Sequence, residues 1–348
     1  MHLQHGDLSC LLASARRCCN AHLCEQAISY LEAAAELQPA NFRIQYKLGV
    51  CYSGACQRHS LTDLPLAHVH FKNALTHYSA TDAAPLEKAR ILGALGNTYS
   101  SCNQMPLQAR LRAAIDCYTG AASIYFSEQA SDDWAREEFN LGNAFSELPP
   151  DRYPHKWEDA IVHYENALQI RTKDKDRRAH AVTLQNLGIG LRELSSGNRV
   201  ANIKRSIGCC RRALALHRAD CSTRGVAVVE NNLGNSFLSL ATVDAEHEAR
   251  HLQRALRHYD RALAAYSEGD FPVPRTMALF NRGQALLRLA AWNGSQTSGR
   301  LHEACECFQT VVRSCERLNL LDLLQTARAQ LREFCPRCEQ DVQQAKTH

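Results

Sequence analysis

The sequence lacks any run of roughly 18 consecutive apolar residues, the length a membrane-spanning helix requires, so none of its 348 residues is expected to cross a bilayer. It also lacks the glycine-rich loop that cradles phosphates and the Gly-x-Ser-x-Gly turn that presents a serine nucleophile. No pair of carboxylates recurs in register. Gly188-Ile189-Gly190 has no third glycine and falls inside a helical pattern. Cysteine is abundant, at 16 residues, but without the regular spacing of a disulfide framework. Cys18, Cys117, Cys209, Cys210 and Cys307 fall inside helices beside core positions, where a thiol acts as a small apolar residue. That pattern points to a reducing, intracellular compartment, most simply the cytoplasm. Cys335-Pro336-Arg337-Cys338 alone has metal-ligand spacing, and no second Cys or His pair lies near it, so a frayed tail is expected there and no metal or other cofactor.

One segment matches a catalytic pattern. His247-Glu248-Ala249-Arg250-His251 fits H-E-x-x-H, which sets two imidazoles and a glutamate base on one helical face, and His258 lies on the same face. Against a zinc metallohydrolase stand Arg250 inside the motif, Arg254 and Arg257 after it, and a position in the connection of a helical pair, where exposure is expected. A chance match in a chain with 16 histidines is the better reading.

What the sequence does have is a period. Gly49, Gly96, Gly142, Gly188, Gly234 and Gly283 follow one another at gaps of 47, 46, 46, 46 and 49 residues. Ala67, Ala114, Ala160 and Ser206 each lie 18 residues after a glycine, and Ala255 and Ala304 lie 21 after theirs. Each opens a run of the type Ala160-Ile161-x-x-Tyr164-x-x-Ala167-Leu168, a narrow apolar stripe at helical spacing. The glycine side reads as a second helix, Leu187, Gly188 and Leu191 lying a turn apart, with the glycine admitting a close neighbour. Each period is therefore a helical hairpin, and stacking of hairpins is the way such units bury their apolar faces.

On these residues the chain resembles the tetratricopeptide repeat family. The first unit keeps its 34-residue pattern in Ala15, Ala27, Leu31, Ala34 and Pro39. Later units are longer, with insertions at Pro149-Pro150-Asp151 and Asp174-Lys175-Asp176. With Trp134-Ala135 and Asn140-Leu141-Gly142-Asn143, they are similar to the extended Leu-Gly-Asn type of tandem repeat. The resemblance implies an all-α fold: a right-handed superhelical solenoid of about seven helix-turn-helix repeats and a C-terminal capping helix. It treats 1–348 as one domain, with the short first repeat at 8–39, extended repeats over 42–318, and cap and tail over 320–345. Arg16 and Arg17 lie in a segment low in acids that could pass for a presequence, but Leu8 to Cys19 fills the slot of the first leading helix.

The resemblance also implies function without chemistry: an adaptor or scaffold that holds a peptide or helix of a partner protein on a concave surface lined by the leading helices. Inward places of the family pattern hold Arg43, Tyr46 and Lys47, then Arg90 and Asn97, then Arg136, Asn140 and Asn143. Further along they hold Gln185, Asn186 and Arg192; Asn231, Asn232 and Asn235; and Asn281, Gln284 and Arg288. A row of carboxamides offers donors and acceptors to an extended main chain, and the interspersed arginines select acidic groups. The competing reading is that the asparagines bridge adjacent helices. Leucine at both 143 and 235 tests this, since groove residues would lose the partner and keep the fold. A rival function rests on residues 171–224, where 13 Lys or Arg face 4 Asp or Glu, a block able to meet RNA phosphates or an acidic protein within a larger assembly.

Overall fold

A computed structural model describes residues 7–54, 63–79, 83–266, 271–292 and 297–334, with backbone alone at 297 and 298. Every regular element among them is helical. Fifteen α-helices follow in order: α1 (Leu8–Asn20), α2 (Cys24–Leu37), α3 (Phe42–Tyr52), α4 (Leu64–Thr76), α5 (Pro85–Ser101), α6 (Leu107–Ser127), α7 (Ser131–Glu147) and α8 (Lys156–Ile170). Then come α9 (Arg177–Glu193), α10 (Arg199–Ala219), α11 (Thr223–Val243), α12 (Glu248–Ala265), α13 (Pro272–Trp292), α14 (Thr297–Leu318) and α15 (Leu321–Phe334). Odd helices lead and even helices return, giving seven hairpins, and α15 packs on α14. Packing divides the chain into two units, Met1–Ile170 and Arg171–His348, where the sequence reading has one domain. No helix among the described residues is long and apolar enough to cross a membrane.

Local chemistry sets the helix ends. Asn41, Asp63, Asp176, Asn198 and Ser222 accept backbone N–H groups at the starts of α3, α4, α9, α10 and α11, satisfying donors that the helix leaves without intrahelical partners. Four turns end on a left-handed residue other than glycine: His22, Gln129, Cys221 and Asn319. Each lets the next N–H reach back to a carbonyl five residues earlier, as Ala130 N does to Tyr125 O at 2.8 Å, which closes the helix C-terminus. The long period is taken up in helix as well as in loop. α1 and α2 have 13 and 14 residues, whereas α10, α11 and α13 each have 21.

The core is a file of small residues from the even helices, Ala67, Ala114, Ala160, Ser206, Ala255 and Ala304, all fully buried. Alongside them run the aromatic residues of the same helices. Phe71, Tyr118, Tyr164, Tyr259 and Phe308 are buried against the leading helix of their own hairpin. Apolar burial of this kind is the main stabilising term, about 25 cal/mol per Å² removed from water.

Candidate functional site

The periodic glycines are seats for rings. A Cβ placed on Gly96, Gly142 or Gly234 would lie 2.6, 2.5 or 2.5 Å from the ring of Tyr118, Tyr164 or Tyr259. In these three hairpins the next residue is asparagine, and its Oδ1 accepts the phenol. The pairs are Tyr118–Asn97 at 2.9 Å, Tyr164–Asn143 at 2.9 Å and Tyr259–Asn235 at 2.8 Å. Where the ring has no hydroxyl, as with Phe71 over Gly49 and Phe308 over Gly283, the residue after glycine is Val50 or Gln284. In the fifth hairpin Cys210 Sγ replaces the ring beside Gly188 and residue 189 is isoleucine. Asparagine thus follows glycine where a buried tyrosine needs an acceptor. Sequence alone favours the groove for Asn97, Asn143 and Asn235, with bridging between helices as the competing role; in the structure the Oδ1 of each carboxamide is bound inside its own hairpin.

A second rung escaped the sequence reading. Four residues before the glycine, Gln45, Glu138 and Glu230 meet Nδ1 of His70, His163 and His258 at 2.8, 2.8 and 2.7 Å. Each imidazole stacks on the ring three places after the glycine, Tyr52, Phe145 or Phe237, with interplanar angles of 1°, 11° and 7°. The intervening hairpins place leucine and cysteine at these positions: Leu92 with Cys117, Leu184 with Cys209, Leu279 with Cys307. The paired change of both residues at every second hairpin was the available signal. Burial raises the Cys117 thiol to about 11 and Cys210 to about 12, so these cysteines serve as apolar filling.

In the first unit the leading helices α3, α5 and α7 enclose a hollow of about 310 Å³ lined by Tyr46, Arg90, Gly93, Ala94, Asn97, Asp133, Arg136 and Glu137. Its floor departs from the repeat twice. Glu137, 1% exposed, stands where the other leading helices carry Ile44, Ile91, Thr183, Val229 and Ala278. Gly93 stands where they carry Tyr46, Phe139, Gln185, Asn231 and Phe280. The two departures fit each other, since a Cβ on Gly93 would lie 2.9 Å from Glu137 Oε1. Arg136 Nε and Asn140 Nδ2 donate to this carboxylate, each at 3.1 Å, and Arg136 Nη1 also reaches Asp133 at 2.5 Å. Burial still pushes the Glu137 carboxyl above its ordinary value, against the lowering effect of Arg136 and Asn140. Burial likewise raises the Tyr46 phenol, against Arg90 and Arg136. Arg90 is exposed and makes no hydrogen bond or ion pair with a described residue. Arg43, by contrast, is closed by a two-pronged pair with Glu87 at 2.7 and 2.8 Å.

In the second unit α9, α11 and α13 carry the remaining candidates. Asn281 Nδ2 donates to Asn235 Oδ1 at 3.0 Å, one true rung of a carboxamide ladder. The equivalent rung from Asn232 would need an acceptor at position 189, which is isoleucine. Asn232 is 7% exposed, and its Nδ2 has no partner among the described residues. Asn186 lies half-buried on α9. Arg192 donates through Nε and Nη2 to Glu193 while Nη1 is buried. Gln284 lies elsewhere, in a hollow of about 580 Å³ walled by Leu238, Leu287, Ala291 and Phe334. The candidates thus fall in both units: Arg90, Asn97, Arg136, Asn140 and Asn143 in the first, the remaining six in the second.

The H-E-x-x-H match dissolves into helix-start contacts. His247 Nδ1 and His251 Nε2 both turn to Asp244, at 3.1 and 2.9 Å, and Glu248 Oε1 pairs with Arg288 at 2.5 Å. The segment is not the exposed connection expected, because α12 begins at Glu248 and His251 is only 6% exposed. Among the described residues no group of three His, Cys, Asp or Glu is placed to hold a metal. Cys335 and Cys338 lie outside the described residues; Cys305 on α14 is disulfide-bonded. In the basic segment several cations already have intramolecular partners: Arg171 with Thr183, Arg177 with Asp220, Arg199 with the carbonyls of Arg192 and Leu194, Arg218 with Glu230.

No protein-family model and no curated protein matches the sequence. Solved structures do match in fold. The C-terminal part of a TPR repeat-containing protein from Cytophaga hutchinsonii aligns at a TM-score of 0.53 and 11% identity, covering 86% of this chain and 93% of that one. The apo form of RapI aligns at a TM-score of 0.52 and 14% identity, covering 88% and 99%. With its tandem hairpins, glycine seats and file of small residues, the chain has the all-helical repeat fold of the tetratricopeptide type.

Proposed function

We propose that the chain is a non-enzymatic scaffold whose leading helices hold an extended peptide or helix of a partner protein, with Arg90, Asn97, Arg136 and Asn140 forming the contact in the first unit. Asn143 in the same unit, and Asn186, Arg192, Asn232, Asn235, Asn281 and Gln284 on the leading helices of the second unit, are the further candidate contacts. The observation that carries this is the uncommitted state of Arg90 beside a hollow floored by Gly93 and Ala94. Between Arg90 and Asn97, two helical turns apart on one face of α5, no side chain larger than methyl intervenes. A main chain can approach there, and a guanidinium without an internal partner selects a carboxylate.

The test is selection of binders from a library of linear peptides displayed on phage, followed by affinity measurement with wild type and Arg90→Ala. The expected result is acidic peptides that lose roughly tenfold in affinity with Arg90→Ala, about 1.4 kcal/mol, while melting is unchanged. Peptides insensitive to Arg90→Ala would overturn the reading. The basic-segment alternative predicts RNA binding with a steep salt slope, which peptide capture by amides lacks.

A further inference from the structure

The first unit contains a pair of thiols that no repeat position explains. Cys19 Sγ, in the last turn of α1, lies 3.9 Å from Cys51 Sγ, in the last turn of α3. Cys19 is half-buried and Cys51 is 5% exposed. They occupy matched places, four residues after the small residue Ala15 and two after Gly49. The same two places at later junctions hold Ser53 with Thr98, Ser100 with Ala144, Arg192 with Ser236 and Leu238 with Ala285. Both places carry sulfur at this junction alone. A disulfide needs the sulfurs about 2 Å apart, so the pair has to close from 3.9 Å.

We propose that Cys19 and Cys51 are a peroxide-sensitive pair that locks the first hairpin to the second. Cys19, the more accessible thiol, gives up its proton and attacks one oxygen of hydrogen peroxide. The O–O bond breaks, Cys19 becomes a sulfenic acid, and the departing hydroxide takes up the proton to leave as water. Cys51 sulfur then attacks the Cys19 sulfur and expels hydroxide, which takes the Cys51 proton and leaves as a second water. Two thiols have lost two electrons and one peroxide has gained them. The product ties α1 of the first hairpin to α3 of the second, and a covalent tie suppresses local opening of the helices it joins.

The experiment treats the full chain with equimolar hydrogen peroxide and maps its peptides without reduction. The expected product is a peptide joining Cys19 to Cys51, lighter by two hydrogens than its parts and cleaved by dithiothreitol. Backbone amides of α1 and α2 should exchange at least tenfold more slowly after oxidation. Cys18→Ser should leave the cross-link intact, and Cys51→Ala should instead leave a sulfenic acid at Cys19 that dimedone traps. An unmodified Cys19, a Cys19 driven to sulfinic acid in the wild type, or a cross-link from Cys19 to another cysteine would overturn the proposal. So would a Cys19–Cys51 bond that leaves exchange in α1 unchanged.

Discussion

Tyr164 donates its hydroxyl to Asn143 Oδ1 at 2.9 Å, and its Cε1 lies 2.5 Å from where a Cβ on Gly142 would stand. Ring, glycine and carboxamide form one device. Gly142→Ala must therefore displace a fully buried ring, and a loss of roughly 1–3 kcal/mol is expected from overpacking. Thermal unfolding by circular dichroism reads this directly. The same change with Tyr164→Leu should cost less than Gly142→Ala alone adds to wild type, because the obstructing ring is gone.

The hydroxyl half of the device makes a separate prediction. Asn143→Leu leaves the Tyr164 phenol in the core without its acceptor, at a cost of about 1–3 kcal/mol. Asn235→Leu does the same to Tyr259 and also removes the acceptor of Asn281. The double variant, which the sequence reading expects to keep its fold, should instead melt several degrees lower. Tyr164→Phe introduced with Asn143→Leu should recover much of the first loss, as removing both partners of a hydrogen bond is milder than removing one. Equal melting of the double variant and wild type would show that these bonds contribute nothing.

Helix count, hairpin order and the α15 cap were legible because a strict period forces one stacking solution, and small residues such as Ala160 mark the buried stripe unambiguously. The roles of the asparagines were not. Asn143 sits at an inward place of the family pattern, and nothing local shows that its acceptor face is turned to a tyrosine 21 residues away. Glu137 was unreadable for a related reason. A charged residue in a helical stripe reads as solvent-facing, and its burial depends on Gly93 of a different hairpin. The histidine motif failed in the opposite sense: His247 and His251 have metal-ligand spacing, but Asp244 lies upstream of the pattern and takes both.

Glu137 and Glu230 are both 1% exposed on leading helices and titrate in opposite directions. Burial raises Glu137 above its usual 4.5. Its folded form therefore binds a proton more tightly than its unfolded form, and stability falls as pH rises through the interval above 4.5. For Glu230 burial also opposes ionisation. The hydrogen bond from His258, with the charges of His258, Arg261 and Arg218, outweighs it and lowers the carboxyl below 4.5. That contribution is present at neutral pH and is lost as pH falls through the interval below 4.5. Glu230→Gln should thus cost roughly 1.5–3 kcal/mol at pH 7, the range for a hydrogen bond to a charged group, and the difference should close in acid. Glu137→Gln keeps an acceptor for Arg136 without a buried charge, so stability at pH 7 should not fall. Denaturant melts of both variants at pH 7 and pH 4 decide the pair, and a Glu137→Gln variant as damaged as Glu230→Gln would refute the assignment.

The unfinished rung at position 189 can be completed. Asn281 Nδ2 reaches Asn235 Oδ1 at 3.0 Å, joining the place two before the glycine of one leading helix to the place one after the glycine of the leading helix before it. Asn232 and residue 189 stand in that same relation, and Asn232 Nδ2 is buried without a partner among the described residues. A buried donor in that state costs about 1–3 kcal/mol, and an acceptor supplied to it recovers part of that cost. Ile189 is half-buried, so its replacement forfeits less apolar contact than a core residue would. Ile189→Asn should accordingly raise the melting temperature, by several degrees if the net gain approaches 1 kcal/mol. Ile189→Ala separates the two effects, because it loses the same apolar contact without adding an acceptor and should be destabilising. If Ile189→Asn melts no higher than Ile189→Ala, the ladder geometry of Asn281 and Asn235 does not extend to Asn232.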